Sequence, residues 1–411
     1  MISAIRAICI FILLCLWPAI SYGRPVLFFS DLDSGPSTGN GDTSRGQVVD
    51  ENGVLVSVWG KNLGEAQGGS QVIIGGKTAG VIYYWGNAAS LEKAGGAYAK
   101  SLHDSHRMQK ITFQVPAGAD NSGINVIVDG ENSNILPFAI RPGNIYFVDD
   151  DSPNYPGSGT YADPWRSPAD YISALAGQDG AICYFRQGDY SNTEYAGVSL
   201  SNKSCFRLNQ DAAGTDGANN AFVGYPNEIA SFGATAGIDK NDPDYFMYVF
   251  SEYPYNSATN ITVSSLRLES NTVVAKVLSK WRFTGNLCIG GDIFNQGTGI
   301  LITGSHVSHV TYPERYVQGW KICGNVIAGE RTANKLNHAV YFGAGSDNDF
   351  GWNYVYGNNV AEGPLLSCNL EDSKENGYLP LANTALHDNV VDMSEFPSRA
   401  IGVHELALNS D

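Results

Sequence analysis

The 411-residue chain carries 41 acidic against 25 basic side chains, a formal charge of −16, and charged residues make up only 16% of it. So acidic a surface repels nucleic acid and anionic membranes, which sets both aside as partners. It repels a polyuronate too, so action on an acidic glycan needs a local basic cleft or a bound cation; the commoner role of such a charge is solubility.

Residues 1–23 read as a signal peptide. Arg6 is the only charge ahead of the apolar run Ala7–Trp17, and the small-residue stretch "AISYG" precedes Arg24. The run is too short for a membrane span, and no later segment is apolar enough to be one. Cys15 follows Leu14 rather than a small residue, which places it in the removed peptide. The expectation is a protein that is secreted, periplasmic or held at the cell surface. Five cysteines then remain: Cys183, Cys205, Cys288, Cys323 and Cys368. The odd number leaves at least one unpaired or paired between chains. Cys183 with Cys205 is the best disulfide candidate on separation, and the lack of C-x-x-C spacing argues against a thiolate zinc site.

Residues 24–142 contain short alternating apolar stretches, "VLVSVWG", "SQVIIGG", "ITFQVP" and "INVIVDG", set between Gly, Asn and Asp clusters. That is the pattern of an antiparallel β-sandwich. In order, "LVSVWGKNLG", "SQVIIGGKTAGVI", "ITFQVPAGADNSGINVIVDGENSN" and "PFAI" resemble an IPT/TIG immunoglobulin-like domain, with one insertion at "GNAASLEKAGGAYAKSLHDSHRM" (86–108). The resemblance implies a spacer or binding module rather than a catalytic unit.

Residues 143–411 differ in character. The segment "NIYFVDDDSPNYPGSGTYADPWRSPADYISALAGQDGAICYFRQGDYS" (144–191) resembles the first segment of secreted right-handed parallel β-helix proteins of the pectate-lyase-like superfamily, with a short helix after "GSGTYADPWRS". Many members cleave polysaccharides, so the resemblance implies a polysaccharide as partner. A local repeat points to the same fold by itself. Asn286, Asn325, Asn353 and Asn389, separated by 39, 28 and 36 residues, each open a frame of Asn, three mostly apolar residues and a turn. Irregular spacing of a constant motif suits stacked coils whose connections vary in length.

Because strand side chains alternate, the compact column Cys288, Ile327, Val355 and Val391 should face inward. The tolerant column Ile289, Ala328, Tyr356 and Asp392 should face outward. The asparagines should stack, each amide satisfying the next, and Cys288 should be a buried small hydrophobe. The fold expected is therefore all-β: an N-terminal immunoglobulin-like β-sandwich followed by a right-handed parallel β-helix, a solenoid.

Chemistry concentrates around "HAVYFGAGSDNDFGWNYVYGN" (338–358). Val340 and Phe342 should point inward and Tyr341 outward, with Tyr354 and Tyr356 outward on the next coil. Exposed tyrosines can stack on sugar faces and hydrogen-bond through the phenol, or form a purely stabilising outer stack. Just upstream lie Glu330, Arg331, Lys335, Asn337 and His338. Cleavage of a uronate glycan by β-elimination needs the carboxylate neutralised and the neighbouring proton removed. Arg331 or a cation suits the first task, Lys335 or His338 the second. The bland alternative is a solvated loop and a turn histidine. Known β-helix lyases often use such Lys/Arg pairs, with or without calcium, so Ca2+ is the one cofactor the resemblance implies, although no catalytic motif aligns position by position.

Asp347 and Asp349 offer oxygen ligands, but without a third carboxylate nearby they read as turn caps, as does "VDDDS" (148–152). A hydrolase needs two carboxylates across the scissile bond, and only Asp392 supplies one in the outward repeat positions. G-x-S-x-G, Walker and H-E-x-x-H patterns are absent. "NKS" (202–204) and "NIT" (260–262) are glycosylation sequons only in a eukaryotic host. The final "IGVHELALNSD" offers no amphipathic cap, so a neighbour covers the last coil or the natural chain continues. The leading functional expectation is a lyase acting on an acidic glycan; the rivals are a non-catalytic glycan-binding or adhesive protein and a β-helix glycoside hydrolase.

Overall fold

The computed structural model describes residues 23–45, 52–190, 202–208, 210–232, 246–252, 258–269, 271–275, 280–289, 300–302, 317–330, 340–342, 345–358, 366–369, 383–394 and 401–404. Among them, three parallel sheets are stacked into one coil. The first has eight strands: Ile145–Val148, Ile182–Phe185, Asn220–Gly224, Ile261–Ser264, Arg282–Thr284, Lys321–Cys323, Asp349–Gly351 and Ala385–His387. The second has seven, from Gly188–Asp189 through Leu287–Ile289, Val326–Glu330 and Tyr354–Asn358 to Val390–Asp392. The third also has seven, from Asn202–Leu208 through Ile300–Ile302, Val340–Phe342 and Leu366–Asn369 to Ile401–His404. Successive passes of the chain visit the sheets in turn, and each strand pairs in parallel with its counterpart one coil away. This is the predicted solenoid.

The lumen is filled by the inward rows. Cys183, Phe222, Val263, Phe283, Ile322 and Phe350 come from the first sheet; Leu268, Cys288, Ile327 and Val355 come from the second. Val340 joins them from the third, and Trp281 and Trp320 stack at 5.3 Å between consecutive coils. A short helix, Pro168–Ala174, closes the N-terminal mouth. Ser167 caps it by accepting from the Ala169 amide, proline stands in its first turn, and buried Tyr171 donates to the carbonyls of Ala181 and Ala221 at 3.1 and 2.9 Å.

The asparagine column forms as the repeat predicts. Asn325 Oδ1 accepts from both the backbone N–H and Nδ2 of Asn286 at 3.0 Å. Asn353 Oδ1 does the same for Asn325, and Asn389 Oδ1 for Asn353, at 2.9 to 3.0 Å. Each Nδ2 also reaches a strand carbonyl: Val263, Phe283, Ile322 and Phe350 in turn. Buried turns are thereby satisfied without water.

The Cys183–Cys205 pairing is corrected. Cys183 is a buried free thiol, aligned with Tyr146 and Phe222 and turned into the lumen, where burial holds its pKa well above the ordinary thiol value. Asn260 of the "NIT" sequon is likewise buried, in a left-handed turn, with its amide donating to Gly214 O at 3.4 Å.

The N-terminal region is two antiparallel sheets. One runs Val26–Ser30, Asn52–Lys61, Gln109–Pro116, Ile82–Asn87; the other Lys77–Thr78, Gln71–Ile74, Ile124–Val128, Glu131–Asn132. Val54, Val56, Val58, Val72, Ile111, Phe113, Ile124 and Val126 pack between them. The strand Asn52–Lys61 is buried on both faces, because its other side lies against the solenoid. There the Tyr184 hydroxyl accepts from the Leu55 N–H and donates to the Leu55 carbonyl, at 2.8 and 3.0 Å. Ile182, Tyr184, Ala221 and Val223, the outward residues of the early first-sheet strands, share one apolar cluster with the sandwich. That contact explains why these strands are apolar on both faces.

Candidate functional site

The corner between the first and second sheets is built by one repeated device. The residue before each asparagine adopts a left-handed conformation: Gly285, Gly324, Trp352 and Asp388 have φ of 63°, 64°, 54° and 50°, and Ser265 continues the row at 56°. At two of these positions glycine is required by space as well. A Cβ on Gly285 would meet the Trp59 ring at 2.5 Å, and one on Gly324 the Phe29 ring at 1.9 Å. Trp352 instead stacks on Phe28 at 5.6 Å, Ser265 Oγ accepts from Lys110 Nζ at 3.2 Å, and the Asp388 carbonyl lies 2.9 Å from His106 Nε2. The sandwich is seated along this whole row.

The insertion at 86–108 supplies much of that seat. Tyr98, Leu102 and Met108 pack with Leu287, Ile289, Val326 and Ala328 of the second sheet. Glu92 and Arg267 form an ion pair at 3.0 Å with side chains only 3% and 7% exposed, and Arg267 Nη1 also donates to Ser231 Oγ at 3.1 Å. Lys93 pairs with Asp189 at the rim. Lys110 lies under the ring of Trp59, 4.9 Å from its centroid; burial pulls its pKa down to about 8 although Asp31 favours the charge. Burial raises the Asp31 carboxyl in turn, despite the amides of Ser57 and Leu32. The cavity beside Lys110, lined by Trp59, Ser90, Leu91 and Leu287, has room for water and not for a sugar.

This docking corrects the reading of Tyr354 and Tyr356 as substrate-stacking residues. Both point away from the lumen, yet they are 5% and 6% exposed, packed together at 5.4 Å beneath the sandwich with Tyr98 and Leu102. Tyr354 donates to Asp392 Oδ2 at 2.6 Å; the hydrogen bonds from Ser394 and then from Tyr354 hold the Asp392 carboxyl down at about 2. The tolerant column Ile289, Ala328, Tyr356 is therefore an internal interface.

The remaining predicted residues lie on the other flank. Tyr341 belongs to the third-sheet strand Val340–Phe342, in register with Leu301 on one side and Ser367 on the other. Val340, next to it, is inward as expected. Arg331, Lys335, Asn337 and His338 lie outside the described residues, between the strand Val326–Glu330 of the second sheet and Val340–Phe342 of the third. Among the described residues, both apolar clusters at the sandwich draw solenoid residues from the first and second sheets.

Among the described residues there is no group of three or more His, Cys, Asp or Glu side chains arranged to hold a metal ion. Asp347 caps a turn: its carboxylate accepts from Gln318, Ser346 and Asn383, which holds its pKa below the usual range. Asp149 is also a turn residue, accepting from the Asp151 amide at 3.1 Å. Asp349 has a different role, as a partner of His387 at 2.8 Å. Sequence reasoning misses that contact because 38 residues separate the two. The available signal is weak: Asp349 stands four residues before Asn353 and His387 two before Asn389, so the repeat frame does not align them. No helix among the described residues is long and apolar enough to cross a membrane.

Comparison with known proteins finds no matching family model and no curated protein with a matching sequence. Among solved structures, the chain is similar to pectate lyase Pel9A, with a TM-score of 0.37 and 13% identity over 63% of this chain and 57% of that one. It is also similar to a rhamnogalacturonan lyase, with a TM-score of 0.30 and 13% identity over 65% of this chain and 64% of that one. A third is the GH136 lacto-N-biosidase from Eubacterium ramulus, with a TM-score of 0.27 and 10% identity over 63% of this chain and 54% of that one. The chain thus spans less than two thirds of each. The fold assignment rests on strand order and register.

Proposed function

We propose that the protein is a secreted polysaccharide-active enzyme, a lyase that cleaves a uronate-containing glycan by β-elimination along the third sheet. The observation that carries this reading is the burial of outward residues of the first two sheets beneath the sandwich. Its described contacts occupy the outward faces of the first two sheets and the corner between them. We take the third sheet as the flank on which an extended chain lies, and coils stacked about 4.8 Å apart offer it regularly spaced rows of side chains. Tyr341 is on this sheet, and Arg331, Lys335 and His338 belong to the chain leading into it.

In this reading Arg331 neutralises the uronate carboxylate and so acidifies the adjacent C–H; a calcium ion, if bound there, would supply the same positive charge. Lys335 or His338 removes that proton, and the C–H electrons form the double bond as the glycosidic C–O bond at the β carbon breaks. The departing oxygen takes a proton from water, and Tyr341 stacks on the sugar. Residues 24–142, the IPT/TIG-like module, act as a buttress fixed to residues 143–411 rather than as a tethered spacer.

The test is incubation of the purified protein with alginate, pectate and glycosaminoglycans, with and without calcium, following the ultraviolet absorbance of unsaturated uronate ends. The expected result is chromophore formation that falls by about 100-fold or more in Lys335→Ala or His338→Ala, the usual scale for a lost general base. Unchanged turnover in both variants removes those two residues from the mechanism. Binding without any new chain ends would identify a glycan-binding protein, and new reducing ends without the chromophore a hydrolase.

A further inference from the structure

Near the C-terminal end of the solenoid an imidazole is held between two carboxylates. His387 ends the strand Ala385–His387; its Nε2 lies 2.8 Å from Asp349 Oδ1 and its Nδ1 3.0 Å from Asp388 Oδ2. A carboxylate only accepts, and a neutral imidazole donates from one nitrogen alone. Both contacts together therefore require N–H on both nitrogens, which is the imidazolium. Burial works against that charge, but the hydrogen bonds to Asp388 and Asp349 outweigh it and the histidine pKa is raised.

The same ring is wired to the sandwich. It lies over Gly351, where a Cβ would stand 2.4 Å from the ring, and meets Trp352 edge-on at 4.5 Å. Trp352 in turn packs on Phe28 and Phe29 of the first sandwich strand at 5.6 and 5.8 Å. Asp388 carries the second connection, through its carbonyl to His106 of the insertion.

We propose that His387 is a proton-operated latch: protonated, it ties the Asp388 turn to the neighbouring coil at Asp349 and holds the sandwich on the last coils. Deprotonated, it must release one carboxylate, and the seam through Trp352 and His106 loosens. Other titratable and charged groups border the latch among the described residues. Lys321 flanks Asp349 on its row, with Arg282 beyond it, and Cys323 flanks Gly351 on the His387 row. From the sandwich, His106 lies beside Asp388, and Lys61 acts on His106. His106 has the opposite tendency: burial lowers its pKa, outweighing the Asp388 carbonyl, while Ser105 Oγ sits 2.7 Å from its Nδ1.

The signs follow. A raised histidine pKa contributes stability fully present below the unfolded value of about 6.5 and lost as pH rises through the folded pKa. The lowered pKa of His106 contributes stability present above about 6.5 and lost as pH falls through its own folded pKa. The seam is firmest near the value the two share.

The test is amide hydrogen exchange of the full chain between pH 6 and 8.5, corrected for intrinsic rates, reading peptides over 383–394 and 24–30. Protection of both should be lost progressively as pH rises through the raised pKa of His387. In His387→Gln the protection should be lower near pH 6.5 and should no longer fall as pH rises from there to 8.5, only the opposite-signed His106 contribution remaining. In the unmodified chain, exchange of the His387 C2 hydrogen should show a midpoint above 6.5. A midpoint at or below that value overturns the proposal even if the variant fails to fold, and so does a His387→Gln profile that follows the native one.

Discussion

Replacing Asn325 by leucine is expected to lower the stability of the chain by about 3–6 kcal/mol, the sum of two or three orphaned buried groups at roughly 1–3 kcal/mol each. The substitution keeps the volume and removes the amide. Asn286 loses the acceptor for both its backbone N–H and its Nδ2, and the Phe283 carbonyl loses its donor. None of these groups can turn to water, because Asn286 and Asn325 are buried between the lumen and the docked sandwich. Urea unfolding at constant slope should report the loss as a lowered midpoint. A change under about 1 kcal/mol, the worth of a single ordinary hydrogen bond, would mean the column merely accompanies the coil.

Replacing Arg267 by methionine is the second large effect. Glu92 would remain in an interface where its side chain is 3% exposed, keeping amides of Lys93 and Tyr98 but no cation. Breaking a buried pair on one side is destabilising by about 3–5 kcal/mol, whereas replacing both members with apolar residues is often neutral. The expected outcome is therefore asymmetric: Arg267→Met undocks the insertion and exposes 86–108 to proteolysis, and adding Glu92→Leu largely restores both stability and protection. Equal losses in the single and double variants would show that packing rather than charge secures the insertion.

Much of the scaffold was legible because a solenoid writes its fold into the sequence. Asn286, Asn325, Asn353 and Asn389 recur in one frame, and Cys288, Ile327 and Val355 keep one chemical character two residues later, so alternation alone assigns their facing. What alternation does not reveal is what lies outside. Tyr356 was correctly read as outward and wrongly as accessible, because its cover comes from an insertion more than 250 residues earlier in the chain. The strand "VLVSVWG" misleads in the same way: Val54, Val56 and Val58 show the period of a sandwich, while Leu55 and Trp59 on the other face answer to the solenoid.

The same limit governs pairs. Cys183 and Cys205 are near in sequence, but the register of Cys183 with Phe222 turns the thiol into the lumen. His387 and Asp349 are distant in sequence, yet they fall on adjacent strands of one sheet. The glycines before the asparagines carried a readable hint. Gly285 and Gly324 in a row that elsewhere admits Trp352 and Asp388 point to close approach of another element, here Trp59 and Phe29.

The claim that the third sheet is the working face is tested most directly by hydrogen exchange of the full chain with and without a bound oligouronate. Protection is expected in the strands at 300–302, 340–342 and 366–369, with the insertion at 86–108 unchanged. Protection confined to the sandwich or to the first-sheet strands at 321–323 and 349–351, with the third sheet unaffected, would contradict it.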